Sequence, residues 1–403
     1  MKKVKHPAAL VLHSLGDAES RGATCSAGIA LATQVESLRN PAKPRTPFSP
    51  VAIHRAFRRR RVKWLLAGAG DIANTRVAPA LCDATDSELT AICDPIQEKA
   101  DALAAKMNVK TIYYDYEQAL AETDADSVYI ATPQHLHVNM CLKALAANKH
   151  LLCEKPLGIN GTECLKLLDS IRKTDRITCC SNYRLFSKQF KTTYNMIKSG
   201  EVGDLLGGWA HDEETYYNPS NTPCLMALGR SPVLGYGFYL INMAQILFGM
   251  PSGVFALMTS FNCDRKPDYD IDDLENIILR YPDDRQFSIT INNTANAPLR
   301  HAYQFYCSKG RIFWPQCPPH FNVPIHKVTN PHGDEELTNS YSGEKSGAKP
   351  NWHLPMIEDF VKAVQTNTQP ICTIESAVQT AVITDAIFKS AESGKLEPVI
   401  WEQ

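Results

Sequence analysis

No apolar run in the 403 residues is long enough to cross a bilayer, so a membrane-spanning role is not expected. A secretory leader is not expected either. The basic cluster Arg58–Arg61 is followed not by an apolar leader core but by Val62–Ala67, a segment the fold itself needs. The 13 cysteines are odd in number and no two form a C-x-x-C pair. Cys93, Cys141, Cys153 and Cys307 sit inside apolar segments, as small buried thiols do in the reducing cytoplasm. An excess of charge is lacking too: the net value is −1, with 12 Lys+Arg against 3 Asp+Glu in residues 1–61 and 30 against 40 in the rest. A mildly acidic body argues against a nucleic-acid partner. What remains is a chain of 44% apolar and 21% charged residues, long enough for two cored domains.

Residues 1–61 show no sustained period, contain the proline-rich stretch Asn40–Pro50 and end on the arginine run. They read as a disordered basic extension rather than a targeting or anion-binding arm. Val62–Asp94 is the most informative stretch. Apolar Trp64–Ala67 predicts a buried strand, and Gly68, Gly70 and Ala73 follow at G-x-G-x-x-A spacing. That spacing suits a dinucleotide: a tight turn, a close approach of backbone to pyrophosphate, and a small residue where helix meets strand. Asp94 ends the next strand-like run, Leu89–Cys93. An acid there accepts from the adenine ribose and repels a 2′-phosphate, which favours NAD over NADP.

Strands and helices then alternate: Ser127–Thr132, the helical Val138–Ala147, the strand His150–Cys153 and the helix Gly161–Thr174. The expected class is α/β, a Rossmann doubly wound parallel sheet over 62–181. Ligands in such sheets lie at the carboxyl ends of the strands, so Thr132–His137 and Glu154–Pro156 should border the cleft. Residues 182–403 follow a different grammar. Helices are expected over Gln189–Ser199, Val233–Phe248, Trp352–Gln365 and Glu375–Ser393. Strands are expected at Leu205–Asp212, Gly253–Phe261, Leu274–Tyr281, Gln286–Thr294 and Tyr303–Cys307, with a hairpin turn at Pro282–Arg285 and a polar loop over Thr329–Lys349. This predicts an α+β domain with a large, mostly antiparallel open sheet, one face of which is available for oligomerisation.

Cys153-Glu154-Lys155-Pro156 follows a buried strand, which puts Lys155 at the strand's carboxyl end. A lysine there can polarise a substrate oxygen, whereas the same residue in isolation would be an ordinary solvated lysine. His135 and His137 lack the further ligands a metal needs, so none is expected. Arg184 either meets a polar substrate or pairs with an acid. Trp209, His211, Tyr216 and Tyr217 either face the cleft, where aromatics suit sugar rings, or pack in a core.

The motifs AGAGDIA (Ala67–Ala73), ATPQHLH (Ala131–His137), CEKPL (Cys153–Leu157), NYR (Asn182–Arg184) and IKSGEVGDL (Ile197–Leu205) together resemble the Gfo/Idh/MocA oxidoreductases. The resemblance implies a Rossmann domain and an open-sheet domain, a nicotinamide cofactor, a sugar or polyol substrate, and a homodimer or homotetramer. It places Lys155 at the reacting carbon. It implies a cofactor site of Gly68, Gly70, Asp71, Ile72, Asp94, Thr132, His137, Glu154 and Lys155. Where many members carry a catalytic His, this chain has Tyr239, as in the glucose–fructose oxidoreductase and dihydrodiol dehydrogenase branch. A tyrosine whose phenol is lowered by a nearby ammonium is then the acid/base, with Asn242 in support and Arg184 at the substrate; the alternative for Tyr239 is a packed core aromatic. The chain departs from the family at Gly235, where an Asp is usual, and at Gly229-Arg230-Ser231, in place of a glycine triplet. Those departures leave open a non-catalytic NAD-binding sensor, or a redox-neutral enzyme processing glycosides.

Overall fold

Val62–Ala67 forms a strand (β1) with Trp64, Leu65 and Leu66 fully enclosed, because both faces of its sheet are covered. In this computed structural model the described residues are 60–213, 232–261, 272–293, 300–317, 325–328, 335–338 and 351–401. The readings made on residues 1–59, on Tyr216 and Tyr217, and on Gly229-Arg230-Ser231 fall outside them. β2 (Ser87–Cys93), β3 (Thr111–Tyr113), β4 (Ser127–Ile130), β5 (His150–Cys153) and β6 (Thr178–Cys180) complete a parallel sheet of order β3-β2-β1-β4-β5-β6. The order reverses direction between β1 and β4, so the crevice beyond their carboxyl ends is the natural ligand site.

The second sheet contains β7 (Leu205–Glu213), β8 (Gly253–Thr259), β9 (Leu274–Arg280), β10 (Gln286–Asn292), β11 (Arg300–Cys307), β12 (Gly310–Cys317), β13 (Ile325–Val328), β14 (Glu335–Thr338) and β15 (Glu397–Pro398). Its order among the described residues is β14-β13-β12-β11-β7-β10-β9-β8-β15, antiparallel except for the pair β7 and β10. Alternation gives it two unlike faces. Phe287, Ile289, Ile291, Ile277, Leu279 and Phe305 are buried beneath helices. Trp209, Ser288, Ile278 and Phe313 share a cross-strand row on the other face, with Ile278 39% exposed.

Two late helices tie the sheets together. Leu354–Thr366 lays Phe360 on Trp64, ring centroids 5.0 Å apart. Ile374–Ser393 accepts the Gly161 amide on Asp385 Oδ2 at 2.9 Å and the Ala256 amide on Ser390 Oγ at 2.9 Å, while the Ser390 hydroxyl donates to the Lys395 carbonyl at 2.6 Å. At Gly161 a Cβ would lie 2.9 Å from the Cα of Val382, so only glycine permits that approach.

The expected α/β class with its mostly antiparallel second sheet is what the chain forms. Several elements differ in detail. Gly161–Thr174 breaks into Gly161–Leu165 and Leu168–Lys173, and Val233–Phe248 opens with a π-helical turn, Val233–Gly237, before Phe238–Phe248. Part of the polar stretch Thr329–Lys349 is strand β14, paired with β13. No helix of the described residues is long and apolar enough to cross a membrane.

Candidate active site

The glycine turn leaves β1 at Gly68, with φ at +102°, where a Cβ would sit 2.5 Å from the Ala131 carbonyl oxygen. Only glycine can bring these two strand ends so close. Gly70 meets nothing within 4 Å of where its Cβ would point, so open space lies beside the start of the helix. Asp71 and Ile72 are exposed at that start, and Ala73 is packed beneath. Asp94 is buried: Oδ2 accepts the Ala69 amide at 2.7 Å and Oδ1 the Ile96 amide at 2.9 Å. It therefore braces the glycine turn, with a second lone pair on each oxygen still available to a ribose.

Thr132 lies just beyond β4, its hydroxyl 3.4 Å from the Met140 sulfur. His137 does not face the cleft as expected. It is buried, with Nε2 2.8 Å from the Thr132 carbonyl and Nδ1 2.8 Å from that of Pro156. Burial holds its pKa below the ordinary value, although those carbonyls and Glu154 pull the other way. The ring thus lies between the turns after β4 and β5, and when neutral it donates to one of the two carbonyls.

The turn after β5 holds Glu154 and Lys155. Glu154 is buried and accepts the Tyr129 hydroxyl on Oε1 at 2.7 Å; the same oxygen lies 3.3 Å from His353 Nε2. Burial alone would raise this carboxyl, but His353, the Tyr129 hydroxyl and the Lys155 charge outweigh it and hold the pKa at about 2. Glu154 is thus a fixed anion under the turn. The Lys155–Pro156 peptide is cis. Lys155 Nζ donates to the Gly235 carbonyl at 3.3 Å and lies 5.0 Å from the Tyr239 ring centroid and 5.8 Å from that of Tyr236. At position 235 a backbone carbonyl, offered by the π-helical turn, does what no glycine side chain can.

Tyr239 is buried, on the first turn of Phe238–Phe248. The Arg184 guanidinium carbon lies 4.1 Å from its ring centroid, and Tyr183 meets it edge-on at 5.2 Å. The expected lowering of its phenol is not found. Burial and the neighbouring Tyr183 push the pKa well above the usual phenol value, and Arg184 opposes them only in part. The ammonium that was to lower it lies against the ring. Arg184 is 1% exposed and held charged. Burial works against that charge, but Tyr303, Tyr183, Asp212 and Tyr239 together raise its pKa.

Two further expectations are corrected. Asn242 is enclosed, accepting from Asn182 Nδ2 at 2.5 Å and donating to Ser376 Oγ at 2.8 Å and Thr380 Oγ1 at 2.9 Å. Its amide is fully used in tying its helix to Ile374–Ser393, so it is a strut rather than a catalytic group. Trp209 and His211 stand on the outer face of the second sheet, on the opposite side of β7 from Asp212, so they do not line the cleft.

Sequence reading missed Asp212, His301, Trp352 and His353. His301 Nε2 is 3.1 Å from Arg184 Nη2, and its Nδ1 is 3.1 Å from Asp212 Oδ2. Tyr183 stacks near Trp352 at 5.9 Å and His353 at 5.1 Å. Asn351 donates to the Arg76 carbonyl at 2.8 Å, and the Arg76 guanidinium lies over Trp352. One signal was present: Asp212 is an acid at a core-facing position of its strand. Among the described residues no group of three or more His, Cys, Asp or Glu side chains is arranged to hold a metal.

A glycine turn at the reversal of a parallel sheet is the dinucleotide-binding arrangement of the Rossmann class. Comparison with known proteins agrees. The profile of an oxidoreductase family with an NAD-binding Rossmann fold matches residues 62–183, and that of the GFO/IDH/MocA C-terminal domain matches residues 190–313. The chain belongs to the Gfo/Idh/MocA oxidoreductase family. It is 26% identical over 345 residues to an uncharacterized oxidoreductase of Rhizobium meliloti, covering 84% of this chain and 99% of that one. It is 24% identical over 335 residues to D-xylose 1-dehydrogenase (NADP+) 2 of Haloferax volcanii, covering 82% and 97%. Levoglucosan dehydrogenase in complex with NADH shares the fold, with a TM-score of 0.76, 19% identity and coverage of 85% and 100%.

Proposed function

We propose that this protein interconverts a hydroxyl and a carbonyl on a sugar or sugar-like polyol, with NAD as its cofactor. The observation that carries the reading is the meeting of Lys155 and Tyr239 across the cleft, 5.0 Å from ammonium to ring centroid. The open space at Gly70 and the brace at Asp94 fit a dinucleotide, which Gly68, Gly70, Asp71, Ile72, Thr132 and Glu154 would border. Bound there, the nicotinamide supplies the hydride acceptor or donor. The negative charge of Asp94 favours NAD; the haloarchaeal relative is named for NADP+, so cofactor choice rests on this residue rather than on kinship. Sugars enter the proposal because relatives are named for them, among them a D-glucoside 3-dehydrogenase and an inositol 2-dehydrogenase.

In this scheme Lys155 donates to the reacting oxygen and polarises it, while Glu154 keeps the turn anionic beneath it. The Tyr239 phenol, raised by burial, rests protonated and is ready to give a proton to a carbonyl oxygen. Oxidation needs the deprotonated form. The rate of alcohol oxidation should therefore keep rising with pH through the alkaline range, while carbonyl reduction should hold level from neutral pH upward until the phenol ionises.

The proposal extends to setting and assembly. The buried thiols suit a cytoplasmic protein. The outer row of the second sheet, from Ile278 to Trp209 and Phe313 with Leu257 beside it, fits a second copy of the chain in a homodimer or homotetramer. The testing experiment follows nicotinamide fluorescence with NAD+ and NADP+ across sugars and polyols. Reduction of NAD+ by a subset of sugars supports the reading; clear NAD+ binding without turnover on any of them, or of their ketones with NADH, overturns it in favour of a sensor or a redox-neutral enzyme.

A further inference from the structure

Behind Tyr239 lies a buried chain of groups that the reaction scheme above does not use. Arg184, Asp212 and His301 are 1%, 1% and 3% exposed. Asp212 and His301 face each other as direct partners in the β7–β11 pairing, so their spacing is built into the sheet. An arginine only donates. The His301 nitrogen that meets Arg184 Nη2 at 3.1 Å must therefore present its lone pair, which leaves the ring proton on Nδ1, 3.1 Å from Asp212 Oδ2. His301 is neutral in this arrangement. Burial and the Arg184 charge lower its pKa, against the pull of Asp212.

The consequence concerns distance. A buried guanidinium next to a buried carboxylate gains most as a close forked pair. Here Arg184 Nη1 and Asp212 Oδ2 are 3.9 Å apart, because His301 stands between carboxylate and guanidinium. The guanidinium carbon instead lies 4.1 Å from the Tyr239 ring centroid. We propose that His301, held by Asp212, is a positioning residue that keeps Arg184 against Tyr239 and so stabilises the tyrosinate formed in proton transfer. This rests on the reading of Tyr239 as the acid/base. When the phenol O–H bond breaks, its proton goes to the substrate oxygen and the negative charge stays on Tyr239. A cation held at the ring favours that state; one withdrawn into a pair with Asp212 does not.

The other groups around Tyr239 must be counted. Lys155 approaches from the turn after β5, Tyr183 from the turn after β6 and Tyr236 from the preceding helical turn, with Glu154 within electrostatic reach. Around Arg184 stand Asp212 on β7 and Tyr303 on β11, and His353 lies beyond Tyr183. Exchanging His301 for a neutral side chain alters none of these charges. A shift in Tyr239 ionisation would then report the position of Arg184.

The test places difluorotyrosine at Tyr239, to bring ionisation into an accessible range, and follows it by fluorine NMR against pH without substrate. His301→Leu keeps volume but cannot bridge; ionisation should move up by about one pH unit or more, a tenfold change. His301→Gln can accept from Arg184 and donate to Asp212, and should restore the wild-type value. His301→Asn, an amide too short to span both partners, should behave like the leucine variant and replaces it if that does not fold. A folded non-bridging variant within a few tenths of a unit of wild type, or a glutamine variant shifted as far as leucine, overturns the proposal. Because no substrate is present, the result stands even if Tyr239→Phe proves to turn over normally, which would instead sink the acid/base reading.

Discussion

The two walls of the cleft are built differently. The parallel-sheet wall is made by side chains that grip backbone: Asp94 takes the amides of Ala69 and Ile96, and His137 spans the carbonyls of Thr132 and Pro156. The opposite wall is made by side chains that grip one another: Arg184 on Tyr239, His301 on Arg184, Asp212 on His301. A backbone-gripping wall fixes the path of turns and so tolerates little change in its motifs. A wall of side-chain contacts sets charge and proton affinity, and can be retuned one residue at a time.

Substitutions on either wall should separate these roles. The largest effect is expected at Tyr239→Phe, which removes the proposed proton carrier while keeping the ring near which Arg184 and Lys155 lie. Turnover should fall by about a hundredfold or more with cofactor affinity unchanged, as read by nicotinamide fluorescence. Next comes Glu154→Gln. The Glu154 carboxyl is held at about 2, below its reference value of 4.5, so its contribution to stability is complete above 4.5 and is lost as pH falls toward 2. The substitution should cost on the order of 3 kcal/mol at neutral pH and flatten the stability curve across that acid window, as measured by denaturant unfolding. Asn242→Ala removes one hydrogen bond each from Asn182, Ser376 and Thr380. It should cost about 2 kcal/mol of stability while each folded molecule turns over normally, which active-site titration alongside unfolding would show. The smallest effect on chemistry is expected at Trp209→Ala on the outer sheet face; kinetics should be nearly unchanged at fixed assembly state, with any difference appearing in light scattering.

The same contrast explains what the sequence made legible. The glycine turn, Asp94 and the Glu154-Lys155-Pro156 turn are local: spacing within a few residues dictates backbone geometry, and the fold class follows from the alternation around them. The tyrosine wall is assembled from β7, β11, the turn after β6 and the start of Phe238–Phe248. Arg184 and His301 are 117 residues apart in sequence, and no periodicity joins them. His353 is equally hidden, since it reaches Glu154 only because Leu354–Thr366 packs its Phe360 on Trp64 and brings its N-terminus over the cleft. Asn242 and His137 misled for a related reason. Residue type and spacing suggested contact with ligand, but their polar atoms are consumed by neighbours that only the tertiary fold supplies. The tyrosine's proton affinity was misjudged because burial, which acts in the opposite sense to a nearby cation, was not visible in the sequence.

The central claim is that the reaction occurs between Lys155 and Tyr239. Its most direct test is the rate of nicotinamide reduction by Lys155→Ala, on the best sugar for the wild type, at saturating NAD+ and with binding of both ligands verified. The account predicts a fall of about a hundredfold or more in the maximal rate. A variant that binds both ligands and turns over at the wild-type rate would contradict it.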